Sequence, residues 1–201
     1  MKMKTLLIGL TLYSGYAAAA PTDTIPQPAQ LCVSCHGMQG EGIDPLGPRL
    51  AGLSSEYISL QLQHFQAGVR QNPTMTAMAM TLQGDGIEQV ANYFSAKPDT
   101  DVKPLIRGQQ VVFSDDIQRL ANQGDWSRGI PACVTCHGPS ALGGGLFPRL
   151  ANQQASYIKS QLVAWQSGTR KGDVDGMMAN VANKLTAAEI DALANYFANL
   201  K

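Results

Sequence analysis

Between Ser54 and Gly68 the apolar residues Tyr57, Ile58, Leu60, Leu62 and Phe65 fall on one side of a helical wheel, the spacing of an amphipathic helix that buries one face. Ser54 or Ser55 can cap its start and Gly68 can end it, so the pattern predicts a helix over 56–67,. The same pattern returns over about 156–167, ahead of Gly168. Near the end of the chain, Thr186 and Glu189 stand at capping-box spacing, and Ile190, Leu193, Ala194 and Phe197 follow at intervals suited to burial,. The matching position earlier in the chain is Gln83, which cannot make that box, so the helix there is expected to begin near Asp85. Alternation of β-branched residues is scarce, and the chain reads as all-α,.

Sliding the chain on itself exposes a repeat. Pro48-Arg49-Leu50-Ala51, Tyr57-Ile58, Gln61-Leu62, Gln66, Gly68 and Arg70 recur one hundred positions later. Ala91-Asn92-Tyr93-Phe94 recurs at an offset of 103 as Ala194-Asn195-Tyr196-Phe197. The pattern therefore divides the chain into a unit at 21–96, a polar, Pro-bearing linker at 97–108 and a second unit at 109–201,. Residues 1–20 stand apart: Lys2 and Lys4 precede an apolar run over 5–16, and Ala17 to Ala20 offer a cleavage site. This is the pattern of a secretory signal peptide, and it predicts export. The apolar run is shorter than the roughly 20 residues a spanning helix needs.

Export makes the cysteines informative. All four lie in two copies of one motif, Cys32-Val33-Ser34-Cys35-His36 and Cys133-Val134-Thr135-Cys136-His137. C-x-x-C-H is the attachment motif of haem c: two thiols one helical turn apart share a face and reach one edge of the porphyrin, and the following histidine meets the iron. A zinc site would need a further pair of ligands, and His36, His64 and His137 are the only histidines,. A thioredoxin-like site would need a βαβ unit, which the pattern lacks. Cys32, Cys35, Cys133 and Cys136 are thus expected to hold two haem c groups, with His36 and His137 as iron ligands.

The repeat also selects the second axial ligands. Met75, Met78 and Met80 compete in the first copy, and Met177 and Met178 in the second. At the local offset of 103 only Met75 and Met178 are methionine in both copies, and each lies eighteen residues before the tyrosine of the final helix. These two are the predicted thioether ligands, and the other methionines are read as gap fillers. His64 has Ala164 as its counterpart, so the duplicated plan does not need it, and it reads as a partly exposed helix residue.

Composition narrows the function. The chain has 201 residues, 44% apolar and 15% charged, with a formal net charge of zero, which argues against a nucleic-acid binder. Aromatics are only 6%, and units this small are short of core, so a buried haem would supply the missing apolar bulk. Residues 21–100 carry three basic and seven acidic groups, and residues 101–201 carry ten basic and eight acidic. That difference in sign suggests that each unit meets a different partner. Pro48 and Pro148 either offer a carbonyl to the haem-motif histidine or turn the chain. Arg49, Arg149, Tyr57 and Tyr157 either bind haem propionates or are an ordinary solvated arginine and core tyrosine in each copy. Residues 143–145, all glycine, read as a turn and not as a phosphate cradle, since no P-loop lysine follows,.

Together the two C-x-x-C-H motifs, the Pro-Arg-Leu-Ala segment, the Tyr-Ile-x-x-Gln-Leu helix, the late methionine and the Ala-Asn-Tyr-Phe helix resemble the tandem di-haem class I cytochromes c of the cytochrome c4 type, over nearly all of the mature chain. The resemblance implies two tandem class I cytochrome c domains, each wrapped around one covalently bound haem with His/Met iron, acting as a periplasmic electron carrier. One departure is the short stretch before Cys32, with Pro26 and Pro28, which implies a stunted first helix where residues 109–120 can supply a fuller one. An iron with both axial positions filled changes oxidation state without binding substrate. The expected partners are therefore a redox donor and acceptor, such as a dehydrogenase and a terminal oxidase, with peripheral membrane association compatible. Two other readings are a haem subunit of an exported dehydrogenase, such as a sulfide-oxidising flavocytochrome, and a di-haem peroxidase or gas sensor with one open iron.

Overall fold

A computed structural model describes residues 24–99, 102, 113 and 115–200. Residues 1–20, where a leader is expected, and most of the segment between the repeats lie outside these residues. Among the described residues the regular elements are helices, and pairing between extended segments is limited to isolated bridges. In the N-terminal half these are α1 (Val33–His36), α2 (Ser55–Gln66), α3 (Pro73–Met80) and α4 (Gly86–Ser95). In the C-terminal half they are α5 (Asp116–Gln123), α6 (Cys133–His137), α7 (Ala155–Gln166), α8 (Met177–Ala182) and α9 (Ala187–Ala198).

Each half closes its own core. In the first, α2 packs on α3 and α4 and buries Tyr57, Ile58, Leu62, Phe65, Val90 and Phe94. In the second, α7 packs on α8 and α9, and Leu120, Ile130, Ile158, Ile190, Leu193 and Phe197 are buried. The core faces are those the periodicity predicts. The entry helix is where the halves differ. A single 3-10 turn, Gln27–Ala29, does in the first half what the two-turn α5 does in the second, and both pack against the final helix. Pro26 and Pro28 lack the N–H groups a longer helix would use there. Helix α5 runs on past Leu120 to Gln123, where Gly124 ends it at φ 77°.

Helix starts follow the local chemistry. The Ser54 hydroxyl accepts from the Tyr57 N–H at 3.1 Å and caps α2, which begins at Ser55, one residue earlier than the pattern suggested. Its counterpart α7 has Gln154 at that position and no side-chain cap, and likewise begins one residue early, at Ala155. Thr186 and Glu189 form the expected capping box on α9,. Asp85 precedes α4 without a side-chain bond to its N–H groups. The segment between the repeats is not wholly detached: Val102 is buried in the second core, and Asp99 pairs with Arg149.

Candidate functional site

Each C-x-x-C-H sequence forms one helical turn, with Cys32 at the N-cap of α1 and Cys133 as the first residue of α6. All four thiols are free of disulfides and half-buried, so the pairs stand i, i+3 on their turns as covalent attachment requires,. Burial pushes the Cys133 thiol up to about 11 and raises Cys32 as well. His36 and His137 end these turns and are buried. Glycines at positive φ follow at once, Gly37 at 80° and Gly138 at 79°, and turn the chain away,.

The prolines supply the carbonyls. His36 Nδ1 lies 2.8 Å from the Pro48 oxygen and His137 Nδ1 lies 2.7 Å from the Pro148 oxygen. A carbonyl can only accept, so Nδ1 carries the proton and Nε2 keeps its lone pair. This is the tautomer and the orientation a metal-bound imidazole needs. Burial pushes both histidines below their ordinary value, while the carbonyls act in the opposite sense. At neutral pH both rings are therefore neutral and able to ligate. Glycine is required at 47 because a Cβ there would stand 2.7 Å from the Cys35 carbonyl oxygen. The free thiols, the committed Nδ1 atoms and the unshared Nε2 atoms fit haem c at both turns.

The methionines sit on α3 and at the start of α8. Met75 is half-buried and flanks the same core as Cys32 and Val33. Met178 is half-buried, whereas Met80 is 56% and Met177 40% exposed. Two matching side chains fix the register of these helices. Gln66 Nε2 donates to the carbonyls of Ala79 and Leu82 at 2.8 and 3.2 Å, and Gln166 Nε2 donates to those of Ala182 and Leu185 at 2.8 and 3.0 Å. Ala79 is four residues beyond Met75 and Ala182 four beyond Met178, so the two methionines occupy equivalent positions in three dimensions.

The four residues weighed as propionate partners make contacts within the protein. Arg149 is neither solvated nor free, since it is 3% exposed, pairs with Asp99 and donates Nε–H to the Ala151 carbonyl. Arg49 binds the other half through its backbone: its N–H reaches Gln153 Oε1 at 3.0 Å, and its carbonyl accepts from Gln153 Nε2 at 2.9 Å. Tyr57 and Tyr157 are engaged by Arg170 and Arg70, each across the boundary between the halves, at 2.9 and 2.6 Å. Reading residues one by one missed these two arginines, although Arg70 and Arg170 stood in the repeat. The three glycines at 143–145 do form a turn; a Cβ on Gly143 would strike the Arg149 nitrogen at 2.4 Å. His64 is half-buried and faces Gly172 of the other half.

Fold and turns together define a class I c-type cytochrome, all-α and holding haem c. A cytochrome c family profile matches residues 107–201. A protein of Thiomonas intermedia described as "Thiosulfate dehydrogenase electron acceptor" is 41% identical over 91% of this chain and 84% of its own. Reduced recombinant cytochrome c4 from Pseudomonas stutzeri superimposes with a TM-score of 0.73 at 31% identity, covering 86% of this chain and 95% of that one. Thiosulfate dehydrogenase from Marichromatium purpuratum gives a TM-score of 0.75 at 40% identity, over 85% of this chain but only 36% of that longer one. The chain belongs to the cytochrome c4 family, and its function is electron transfer, as a carrier and not as an enzyme.

Proposed function

We propose that this chain is a periplasmic carrier of single electrons with two haem c groups, one in a unit at 21–96 and one in a unit at 109–201, joined by 97–108 and exported by a leader at 1–20. Cys32 and Cys35 attach one haem, and Cys133 and Cys136 the other. His36 and Met75 ligate the first iron, His137 and Met178 the second. The observation that carries this reading is the haem turn built twice, with the same histidine-to-proline hydrogen bond in each copy. When bound, the haem iron supplies a reversible one-electron ferric/ferrous couple.

The chain's own residues do the rest. The Pro48 and Pro148 carbonyls hold each imidazole in one orientation and raise its basicity as a ligand. Met75 and Met178 bring a soft, neutral sulfur that favours the ferrous state. Were His36 with Met75 and His137 with Met178 to hold the irons, protein side chains would fill the places a small substrate would need, which disfavours the peroxidase and sensor readings. A thiosulfate-oxidising dehydrogenase is the electron donor this reading favours, because a relative bears the name of that enzyme's acceptor and a solved thiosulfate dehydrogenase contains a similar unit. A terminal oxidase is a suitable acceptor. The test is an absorption spectrum of the haem-loaded protein with a haem count, oxidised, reduced and then exposed to carbon monoxide. Two haems per chain, a far-red sulfur-to-iron band and no carbon monoxide binding are expected. Prompt binding at one haem would overturn the ligand assignment.

A further inference from the structure

The C-terminal half carries a turn that its partner half does not repeat. Asp125 and Ile130 close it with backbone hydrogen bonds of 2.8 and 2.9 Å. It displays Trp126, which at 74% exposure is the most exposed large apolar side chain among the described residues. At the 101-residue offset of the haem turns, Trp126 falls on Ile25, which packs against the first core. Ile130 falls on Ala29, and both of these are at 0% exposure. The register is therefore kept through the turn, and the tryptophan alone has been moved outward.

The base of this turn is pinned from several directions. Asp125 accepts from Ser127 Oγ at 2.6 Å and from Arg128 Nε at 2.7 Å. Arg128 also reaches Glu189 of α9, at 2.6 Å from Nη2, and the carbonyl of Lys184, two residues beyond α8, at 3.3 Å from Nη1. Lys184 Nζ returns a hydrogen bond to the Gly129 carbonyl at 2.8 Å. Gly124 lies so close beneath that a Cβ there would stand 2.4 Å from the Ile130 carbonyl oxygen. Two residues after Ile130 comes Cys133. The turn therefore joins the segment leading to Cys133, the end of the helix that carries Met178, and α9. A single exposed apolar residue is ordinary on a protein surface, but an indole held out on a fixed base loses little freedom when it is covered. Tryptophan is also enriched among the residues that dominate binding at protein interfaces. Asp125 and Glu189 balance Arg128 and Lys184, so the charges around the indole cancel. An anionic membrane or a nucleic acid would be met by uncompensated cations. Balanced charge around one large apolar side chain suits an apolar cleft on another protein.

We propose that Trp126 is the docking anchor for the electron-donating dehydrogenase, and that its indole enters an apolar, weakly charged cleft on that enzyme. This rests on the functional reading above, which supplies both the haem of the C-terminal half and the donor. Redox encounters bury little surface, so one covered indole is a large share of the contact. The N-terminal half, which lacks the turn, is left to meet the acceptor.

The test is stopped-flow reduction of the holoprotein by the thiosulfate dehydrogenase of Thiomonas intermedia in the presence of thiosulfate, comparing the unaltered chain with Trp126→Ala and Trp126→Phe. That organism's own acceptor serves as the positive control. Trp126→Ala is expected to lower the second-order rate about tenfold or more, and Trp126→Phe to restore most of it. The ratio between the unaltered chain and Trp126→Ala should hold within about twofold from low to high salt, because no unpaired charge carries the contact; a ratio that collapses in salt would overturn the apolar cleft. Reduction by dithionite, the haem count and both reduction potentials should be the same in all three proteins, which separates docking from damage to the fold. If the enzyme reduces its own acceptor but not the unaltered chain, the donor reading fails and the docking fails with it. If it reduces the unaltered chain and Trp126→Ala equally fast, the docking alone is overturned. Sedimentation of the unaltered chain with phosphatidylglycerol vesicles, lost in Trp126→Ala, would make the turn a membrane contact and overturn the proposal as well.

Discussion

The two halves are copies that have diverged unevenly. The haem turn, the proline carbonyl behind it, the glutamine that holds the methionine helix and the arginine–tyrosine contact between the halves are the same in both. The entry helix, the caps of α2 and α7, the start of the final helix and residue 47 against 147 are not. Glycine at 47 leaves room for the Cys35 carbonyl, whereas Phe147 stands 6.4 Å from the His137 ring, edge-on. In the first half it is Phe94, from the final helix, that stands 6.4 Å from the ring of His36. What is shared surrounds the cofactor site or crosses to the other half. What differs can be met by more than one local solution.

That contrast can be broken most severely at the proposed methionine ligands. Replacing Met75 or Met178 by leucine should remove about half of the far-red band and open one iron to carbon monoxide, while Met78→Leu leaves both measurements unchanged. A loss on Met78→Leu would move the first ligand to that residue. Next come the cores. Phe94→Ala and Phe197→Ala each delete a buried ring, 0% and 2% exposed, and should cost about 3–5 kcal/mol in denaturant unfolding. A two-step transition in only one variant would show which half unfolds first.

Smaller effects separate the final helices. Thr186→Ala should cost about 1 kcal/mol because it breaks the capping box, and Asp85→Ala close to nothing because Asp85 makes no cap bond,. The acid response should differ as well. The hydrogen bond from Arg128 holds the Glu189 carboxyl down at about 2, and Ser127 and Arg128 hold Asp125 at about 2. A depressed carboxylate contributes stability that is present above the unfolded value, 4.5 for Glu189, and is lost as pH falls toward 2,. Both side chains keep partial contact with water, so the change should be modest and weaken further in salt. Melting curves between pH 5 and roughly 2 check it: Glu189→Gln should flatten the C-terminal half's pH dependence.

The sequence carries the haem turns in plain view because covalent attachment demands a fixed spacing of cysteine and histidine. The helical core faces are legible for a similar reason, since burial repeats with the helical period. Met75 and Met178 emerge only when the copies are aligned, and Gln66 and Gln166 then supply a structural reason for that register. Arg70 and Arg170 were visible as repeated letters but not as a site. Their partners lie roughly ninety to one hundred and ten residues away in the other copy, and no local pattern encodes a contact made across a duplication. The ion pair of Arg149 with Asp99 escaped notice for the same reason, half a repeat distant.

The crossed contacts have one more consequence. Arg70 reaches Tyr157 and Arg170 reaches Tyr57; Gln71 N–H donates to the Thr169 carbonyl at 3.0 Å, and Lys171 N–H donates to that of Val69 at 3.1 Å. Residue i of one copy meets residue j of the other, and j meets i, which is the geometry of an isologous two-fold homodimer. Here the two subunits share a single polypeptide, so the tether keeps each copy's self-complementary face at high effective concentration beside its mate. That intramolecular closure leaves no face of this contact open to recruit a third copy.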